Sequence, residues 1–387
     1  MKETKKLKLI RITTADISLD LVLKGQLHFL QEHFDVVAVA SDTGKLKSVG
    51  ERERVRVINL PMHREISLVN DFRSLIVLYR LIKKEKPYIV HANTPKGSLL
   101  GMIAAWMARV PHRIYTVTGL RYQGASGLLR FILKSMERIT CFFANQVIPE
   151  GEGVKQCLKN DYITRKPLAV IHHGNINGKD TSYFSQEKAV EVMGTREEVR
   201  KKLDIQPNDF VFVSVGRIVK DKGMNELADS MRKLIEDEHY CKLLLVGNME
   251  SHLDPLKPDA ENFFLHNESV RWVGHQSDIR PYLLAADALV FPSYREGFPN
   301  VVLEAGSMGL ASIVTDINGC NEIIRNGHNG IIIPPKNSEA LYQAMFDFVN
   351  APTNVKQMGG NARNLVIQKY EQKDVWNALL RMYEGLG

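Results

Sequence analysis

The sequence predicts an α/β protein built from two doubly wound domains, each with a parallel sheet. Short apolar runs alternate with longer amphipathic segments along all 387 residues. The short runs are apolar throughout, which is typical of strands buried on both faces between layers of helices. Twelve such runs are too many for one sheet of ordinary size, so two sheets are the simpler interpretation.

Six strands are predicted in each half of the chain, and amphipathic segments such as 68–84, 128–143 and 225–237 are predicted to form helices between them. The strands are expected at residues 7–13, 36–41, 55–60, 88–92, 114–117 and 146–149, and then at 210–216, 242–247, 270–273, 288–292, 312–315 and 330–333.

The Gly- and Asn-rich stretch 172–180 is the predicted linker, and a polar stretch without strand character follows it up to residue 208. The expected domains are therefore 1–175 and 176–365. A last helix within 366–387 has no strand partner, and we expect it to return to the first domain.

Composition places the chain among globular proteins, with 44% hydrophobic and 25% charged residues. No run of eighteen apolar residues occurs, so no membrane-spanning helix is expected. The four cysteines are widely spaced, which suggests neither a metal site nor a disulfide framework. A cytoplasmic location is therefore expected.

Positive charge is concentrated in the first half of the chain. Residues 1–190 hold 30 lysines and arginines against 17 acidic residues, a net charge of +13, whereas the remainder carries −6. This asymmetry predicts an anionic partner for the first half. A nucleic acid, an anionic lipid and a phosphorylated substrate all remain open on charge alone.

The loop after the strand at 210–216 is a candidate phosphate site. Gly216 permits a turn there, and Arg217 and Lys222 follow before the next helix. Ligands of open α/β sheets bind beyond the carboxyl ends of the strands. A diphosphate could lie between the guanidinium fork of Arg217 and the ammonium of Lys222.

The stretch "PSYREGFPNVVLEAGSMG" follows the strand at 288–292 and carries two glutamates, Glu296 and Glu304. Pro299 suits a helix start, and the N–H groups of Asn300 and Val301 would point at a phosphate. Glu304 lies about one turn further along and could accept bonds from two ribose hydroxyls. Glu296, on the other side of the phosphate, could bind hydroxyls of a second sugar.

These motifs together resemble a known family. "SVGRIVKDKG", "VRWVGHQSDIRPYLLAADALVFPSYREGFPNVVLEAGSMG" and "IVTDINGCNEIIRNGHNGIII" resemble the C-terminal domain of retaining glycosyltransferases of family 4. That family has the GT-B fold, in which two Rossmann-like domains face a cleft. In the first half, "YIVHANTPKGSLLGMIAAWMARVPHRIYTVTGLRYQGASG" resembles members that extend lipid-linked oligosaccharides of bacterial surface glycans.

The resemblance implies a role for each matching residue. It implies catalytic roles for Arg217, Lys222 and Glu296, and donor contacts from Gly216, Arg217, Lys222, Val273, Glu296, Gly297, Phe298, Pro299, Asn300, Val301 and Glu304. It implies no required metal and no cofactor. On the acceptor side we expect Lys24, Gly25, Lys96 and Thr118, although the family often has a histidine at the position of Thr118 and a glycine pair where this chain has only Lys24-Gly25.

The function so implied is retaining transfer of a hexose or N-acetylhexosamine to a glycan acceptor, with UDP-sugar a more favoured donor than GDP-sugar. The acceptor is expected to be lipid-linked, and nucleic acid is not expected as a partner. A basic stripe of Arg130, Lys134 and Arg138 on the helix at 128–143 suits either an anionic membrane surface or a packed helix with one solvated face. The charge of the whole first half, together with the resemblance to enzymes with lipid-linked acceptors, predicts salt-sensitive peripheral attachment to the inner face of the cytoplasmic membrane.

Two alternatives stay open at this point. A sugar-nucleotide 2-epimerase of the same fold needs acid–base residues but no second substrate, and His91, His172 and His173 could serve. A non-catalytic two-domain sugar-binding protein is the other alternative.

Overall fold

The protein is described here from a computed structural model, which describes residues 6–62, 67–252 and 254–386. The chain divides into two compact units. The first unit contains the residues up to Gly178 and those from Lys373 onward, and the second contains Lys179–Gln372.

The first unit has a six-stranded parallel sheet with helices on both faces. Its strands are β1 (Lys8–Ala15), β2 (Asp35–Ser41), β3 (Arg56–Asn59), β4 (Ile89–Ala92), β5 (His112–Val117) and β6 (Gln146–Pro149). Its first seven helices are α1 (Asp16–Leu21), α2 (Gln26–Gln31), α3 (Leu46–Glu53), α4 (Leu68–Glu85), α5 (Pro95–Met107), α6 (Gly127–Phe143) and α7 (Glu152–Asn160). A 3₁₀ turn at Arg121–Gly124 precedes α6.

The second unit repeats this architecture. Its strands are β7 (Phe210–Val215), β8 (Cys241–Val246), β9 (Val270–Trp272), β10 (Ala288–Phe291), β11 (Ala311–Thr315) and β12 (Gly330–Ile333). Its helices are α8 (Gln186–Met193), α9 (Arg196–Lys202), α10 (Met224–Glu236), α11 (Pro258–His266), α12 (Arg280–Ala285), α13 (Asn300–Ser307), α14 (Cys320–Ile323), α15 (Ser338–Asn350) and α16 (Pro352–Tyr370).

All twelve predicted strands are confirmed, and the two sheets share one topology. The strand order is β3-β2-β1-β4-β5-β6 in the first sheet and β12-β11-β10-β7-β8-β9 in the second. Counted within its own unit, each sheet has the doubly wound order 3-2-1-4-5-6, which reverses direction between its first and fourth strands. In the second unit that switch point lies between β7 and β10.

Apolar side chains pack on both faces of each sheet, which explains why most strands appear as apolar runs in the sequence. In β1, Ile10 and Ile12 pack into one core cluster, whereas Leu9 packs into the cluster on the opposite face. In β7, Phe212 and Val213 divide in the same way between the two clusters of the second unit. Because side chains alternate along a strand, neither face can be polar in such a sheet.

The chain crosses between the units twice, after Gly178 and after Gln372. The second crossing lies seven residues beyond the limit of 365 expected from the sequence, because α16 continues to Tyr370, which is buried in the second unit. The final helix, α17 (Gln372–Glu384), buries Leu379 and Tyr383 against the first sheet. The polar stretch before residue 208 contains α8 and α9.

Candidate functional site

The carboxyl ends of β7 and β10 lie side by side in the second sheet. The two strands pair directly, with Ala288 opposite Phe212 and Leu289 opposite Val213. Since the strand order reverses here, the loops that leave these two strands flank a crevice, which is where ligands of open α/β sheets bind. The candidate site is therefore formed by the loops 216–223 and 292–299.

The loop after β7 begins with Gly216 and Arg217. Gly216 has a φ of 146°, and a Cβ built on it would meet no protein atom within 4 Å. The space beside this glycine is therefore open to a ligand. Arg217 is 46% exposed, and one guanidinium nitrogen lies 3.4 Å from a carboxylate oxygen of Glu250. This contact engages only one of the five N–H donors of an arginine.

A tight turn brings Lys222 back to the sheet. Lys222 ends a 3₁₀ turn at Lys220–Lys222, and Gly223 follows with a φ of 73°. A Cβ on Gly223 would come within 2.1 Å of the carbonyl oxygen of Pro292. Only glycine permits this approach of one loop to the other.

Lys222 and Glu296 form an ion pair across the two loops. The Lys222 ammonium binds Oε1 of Glu296, and the Ser293 hydroxyl donates to the same oxygen at 3.0 Å. The two charged side chains are 18% and 19% exposed. The sequence suggested separate positions for them, at the diphosphate and at the transferred sugar, and the structure brings them into contact. Within the described part of the chain, no donor reaches Oε2 of Glu296, so that oxygen can accept a bond from a ligand.

Asp221, which sequence reasoning missed, fastens the two loops together. Its carboxylate accepts a bond from the guanidinium of Arg295 at 2.8 Å, and its carbonyl accepts one from the backbone N–H of Tyr294 at 2.9 Å. The Tyr294 hydroxyl in turn donates to Glu226 of α10 at 2.7 Å. These contacts join residues about seventy positions apart, so no local motif could have indicated them.

Helix α13 starts directly after the second loop. Pro299 precedes its first residue, Asn300, and offers no side-chain cap. The first N–H groups of a helix have no partner within the helix, and the helix dipole favours an anion beside them. Phe298 is buried just ahead of the helix start. The N–H groups of Asn300 and Val301 belong to this first turn, and Gly297 is buried next to Phe298.

Glu304 lies in the second turn of α13 and is held by a lysine that the sequence did not single out. The Lys179 ammonium donates to Oε1 of Glu304 at 2.6 Å, and the two side chains are 12% and 16% exposed. Each glutamate of the motif is therefore paired with a lysine, Glu296 with Lys222 and Glu304 with Lys179. Both lysines reach their partners through Oε1.

Val273, expected near the base, follows β9 and is half-buried. Its N–H donates to the carbonyl of Leu245 at 3.0 Å. The neighbouring Trp272 is 41% exposed, and its indole N–H donates to the carbonyl of Gly247 at 2.8 Å. A Cβ on Gly247 would come within 1.8 Å of the carbonyl oxygen of Gly216, so the ends of β7 and β8 meet closely here.

The four residues expected on the acceptor side lie at two places in the first unit. Lys24 is exposed, and Gly25, with a φ of 81°, caps α2 and donates its N–H to Glu53 at 2.9 Å. The hydroxyl of Thr118 donates to the carbonyl of Asn93 at 2.8 Å, which links the segments after β4 and β5. Lys96, in the first turn of α5, is only 6% exposed and forms a 2.7 Å ion pair with Asp71.

A cavity beside Lys96 adjoins a buried carboxyl group. Gly119, Arg121 and Glu137 contribute to its lining. Glu137 accepts a hydrogen bond from the buried hydroxyl of Tyr115, and burial raises the pKa of Glu137 to about 7. Desolvation outweighs the hydrogen bond, which alone would lower the pKa.

The histidines considered for an epimerase lie in two different environments. His91 is 1% exposed, accepts a bond at Nδ1 from the Arg11 guanidinium at 2.8 Å, and contacts the Thr116 hydroxyl through Nε2 at 2.7 Å. Burial and the neighbouring Arg11 charge hold its pKa well below the usual range, so it stays neutral. His172 and His173 are exposed, and their rings meet edge to face with centroids 4.6 Å apart.

Known families match both units of the chain. The model of "Glycosyl transferases group 1" matches residues 195–365, and that of "Glycosyl transferase 4-like" matches residues 15–150. The capsular polysaccharide biosynthesis glycosyltransferase CapM of Staphylococcus aureus is 32% identical over 378 residues, which cover 97% of this chain and 96% of that protein.

An Escherichia coli relative is 30% identical over 344 residues, covering 88% of this chain and 86% of its own length. Its name is UDP-Gal:alpha-D-GlcNAc-diphosphoundecaprenol alpha-1,3-galactosyltransferase. Among solved structures, Anabaena HepE in complex with UDP-glucose superimposes with a TM-score of 0.82 at 18% identity, covering 98% of this chain and 100% of that chain. The shared architecture is the GT-B fold. This chain therefore belongs to the group 1 family of glycosyltransferases.

Proposed function

We propose that this glycosyltransferase moves a hexose or an N-acetylhexosamine from a UDP-sugar to a lipid-linked glycan, with retention of the anomeric configuration and without a metal ion. The observation that carries the proposal is the cluster at the switch point of the second sheet. It combines the pair of Lys222 and Glu296, the start of α13, and Glu304 one turn further.

The cluster suits a sugar–diphosphate–ribose ligand. Arg217, Lys222 and the first N–H groups of α13 would bind the diphosphate, Glu304 would accept bonds from the ribose hydroxyls, and Oε2 of Glu296 would accept one from the transferred sugar. Cleavage of the bond to the anomeric carbon places negative charge on the leaving diphosphate. The cations and N–H groups would stabilise that charge more strongly in the transition state than in the ground state.

The state of Glu296 supports a role in positioning rather than nucleophilic attack. Its carboxylate is engaged by the Lys222 ammonium and the Ser293 hydroxyl, and both contacts reduce its tendency to attack carbon. In the proposed reaction the leaving phosphate accepts the proton of the acceptor hydroxyl. The new bond then forms on the face from which the old one departs, which retains the configuration.

The names of the relatives support the choice of substrates. The E. coli relative is named for UDP-Gal as donor and for a diphosphoundecaprenol-linked acceptor, and the S. aureus relative is named for capsular polysaccharide synthesis. We extend these substrate classes, a UDP-sugar and a lipid-diphosphate acceptor, to this chain.

Calorimetry with UDP tests the donor site. Lys222→Ala should weaken UDP binding at least tenfold, or about 1.4 kcal/mol, because one charged contact to the diphosphate is lost. Lys220→Ala is the matched control, since Lys220 lies in the same turn and is exposed. It should change the affinity less than twofold. Equal affinity in wild type and Lys222→Ala would contradict the proposed donor site.

We also propose that helix α6 attaches the protein to an anionic membrane surface. Leu128, Phe131, Ile139 and Phe142 are between 43% and 75% exposed and lie on one stripe of this helix. The only acidic residue of α6, Glu137, is buried. The exposed surface of α6 is therefore apolar and cationic, which complements anionic lipid headgroups above an acyl layer.

This surface differs from the basic stripe expected from the sequence. Lys134 pairs with Asp161, and the guanidinium of Arg138 donates to the carbonyls of Asp161 and Tyr162 at 3.3 Å, so two of the three cations bind their own chain. Arg130 is exposed, about 100° around the helix from Phe131, the nearest residue of the apolar stripe. Attachment would then depend on apolar insertion as well as charge, and high salt should weaken it without abolishing it.

Among the described residues, no helix combines the length with the apolar character that crossing a bilayer requires. The proposed location is the inner face of the cytoplasmic membrane. Co-sedimentation with phosphatidylglycerol-containing vesicles measures the attachment. Tyr240→Ser supplies a control substitution, because Tyr240 is 84% exposed and lies in the second unit.

A further inference from the structure

Lys179 is the first residue of the second unit, and its side chain reaches Glu304. The ammonium lies 2.6 Å from Oε1 of Glu304, and each side chain is less than one fifth exposed. The two residues are 125 positions apart, so the pair depends entirely on the tertiary structure.

The backbone of Lys179 is held on both sides by the segment that joins α16 to α17. Its N–H donates to the carbonyl of Tyr370 at 2.8 Å, and its carbonyl accepts a bond from the N–H of Gln372 at 3.0 Å. The Thr181 hydroxyl donates to the carboxylate of Glu371 at 2.6 Å, which ties the same two segments again. The long side chain therefore extends from a fixed base.

The same segment also supports the loop ahead of α13. Tyr370 is 2% exposed, and its ring packs on Phe298 with a centroid distance of 5.6 Å. The paired segments around Lys179 and Tyr370 thus contact the candidate donor site at two points, through Glu304 and through Phe298.

A carboxylate that binds ribose next to a diphosphate has two physical requirements. It must be held in one rotamer with an acceptor lone pair directed at the hydroxyls, and its negative charge must not repel the phosphates. A lysine on Oε1 meets both, because it fixes the carboxylate, offsets its charge and leaves Oε2 to the ligand. Removing one partner of a largely buried ion pair leaves an uncompensated charge.

We infer that Lys179 is a positioning residue that holds Glu304 in the conformation and charge state that bind the ribose hydroxyls of the donor. The inference rests on the proposed function, which places the ribose at Glu304. A purely structural ion pair would stabilise the fold without affecting the recognition of those hydroxyls. The two possibilities therefore differ in whether replacing Lys179 changes the preference for a ligand that carries ribose hydroxyls.

The experiment compares binding of UDP and 2′,3′-dideoxy-UDP by calorimetry. Wild type should prefer UDP at least tenfold, and Glu304→Gln should lose most of that preference. Lys179→Met should weaken both ligands, because the uncompensated charge of Glu304 repels the diphosphate they share, but it should weaken UDP binding at least tenfold more than binding of the dideoxy compound and so lose most of the preference. Lys179→Arg should restore most of the preference. Lys188→Met is the matched control, because Lys188 pairs with Glu191 on the surface of the same unit.

The binding results that contradict the donor site differ from those that contradict the positioning role of Lys179. If Glu304→Gln keeps the full preference for UDP, the ribose is not at Glu304 and the proposed donor site is wrong. If Glu304→Gln loses the preference and Lys179→Met keeps it, or weakens both ligands equally, the positioning role is wrong. Lys179→Gln, which keeps an N–H donor without the charge, gives the same comparison if the methionine variant does not fold.

Discussion

Replacing Gly319 by alanine should disturb the donor site without touching any of the charged residues. Gly319 precedes α14 with a φ of 75°. A Cβ at this position would lie 2.6 Å from Cδ of Pro299, 2.7 Å from Cα of Phe298 and 2.8 Å from the carbonyl oxygen of Gly297. Two of these three atoms belong to the backbone, so the loop ahead of α13 must move to accommodate the methyl group.

The loss of unfolding free energy caused by Gly319→Ala has two parts, one from the backbone conformation and one from the steric contacts. Left-handed backbone costs a residue with a Cβ about 1 kcal/mol relative to glycine. Relief of the contacts requires a shift of the loop by about 0.7 Å and costs about 1–3 kcal/mol more. The expected loss of unfolding free energy is therefore about 2–4 kcal/mol. A displacement on the order of 1 Å near the reacting atoms can lower turnover about 100-fold.

Gly327→Ala isolates the backbone contribution, because it introduces no steric contact. Gly327 has a φ of 74°, but a Cβ there would meet no atom within 4 Å. This variant should lose only about 1 kcal/mol and keep wild-type kcat and KM. Chemical denaturation and steady-state kinetics with a UDP-sugar measure both effects. If Gly319→Ala has the same stability and turnover as Gly327→Ala, the claim that Gly319 shapes the loop ahead of α13 is refuted.

Three further predictions concern other parts of the molecule. Glu296→Ala should lower turnover more than UDP affinity, whereas Glu304→Ala should weaken UDP binding itself at least tenfold; equal damage to UDP binding would show that the roles are wrongly divided. Replacing Phe131 and Phe142 together by serine should abolish the co-sedimentation with anionic vesicles that wild type retains at high salt, and unchanged binding would exclude α6 as the attachment surface. Burial raises the pKa of Glu137 from 4.5 to about 7, so the contribution of its protonated form to stability is complete below pH 4.5 and is lost as the pH rises through 7. Glu137→Gln should therefore raise the unfolding free energy at pH 8 by about 3 kcal/mol and change it little at pH 4.5, and denaturation curves at the two values would test this.

The sequence alone determined the strand content and the location of the two loops that form the candidate site. Strands covered on both faces are apolar at most positions, so most of the twelve appear as short apolar runs whatever their neighbours are, although β1 includes the buried Arg11 and the strand β3 has exposed ends. The loops could be found because a glycine, two cations and two spaced glutamates occur within short segments next to strand ends. Each of these loops is identified by residues that lie close together in sequence, from Gly216 to Lys222 and from Glu296 to Glu304.

Only the tertiary structure decided which charges meet and which surfaces stay exposed. The ion pairs of Lys222 with Glu296 and of Lys179 with Glu304 join residues 74 and 125 positions apart, and no spacing rule relates such positions. Lys96, which the sequence places on the acceptor side, pairs with Asp71 in a buried site, and no local pattern indicated that partner. Helix α6 is apolar over most of its surface in sequence, and the packing of its neighbours alone decides which side is covered. Side-chain pairing and exposure depend on the distance between elements in space, which the order of residues along one element does not encode.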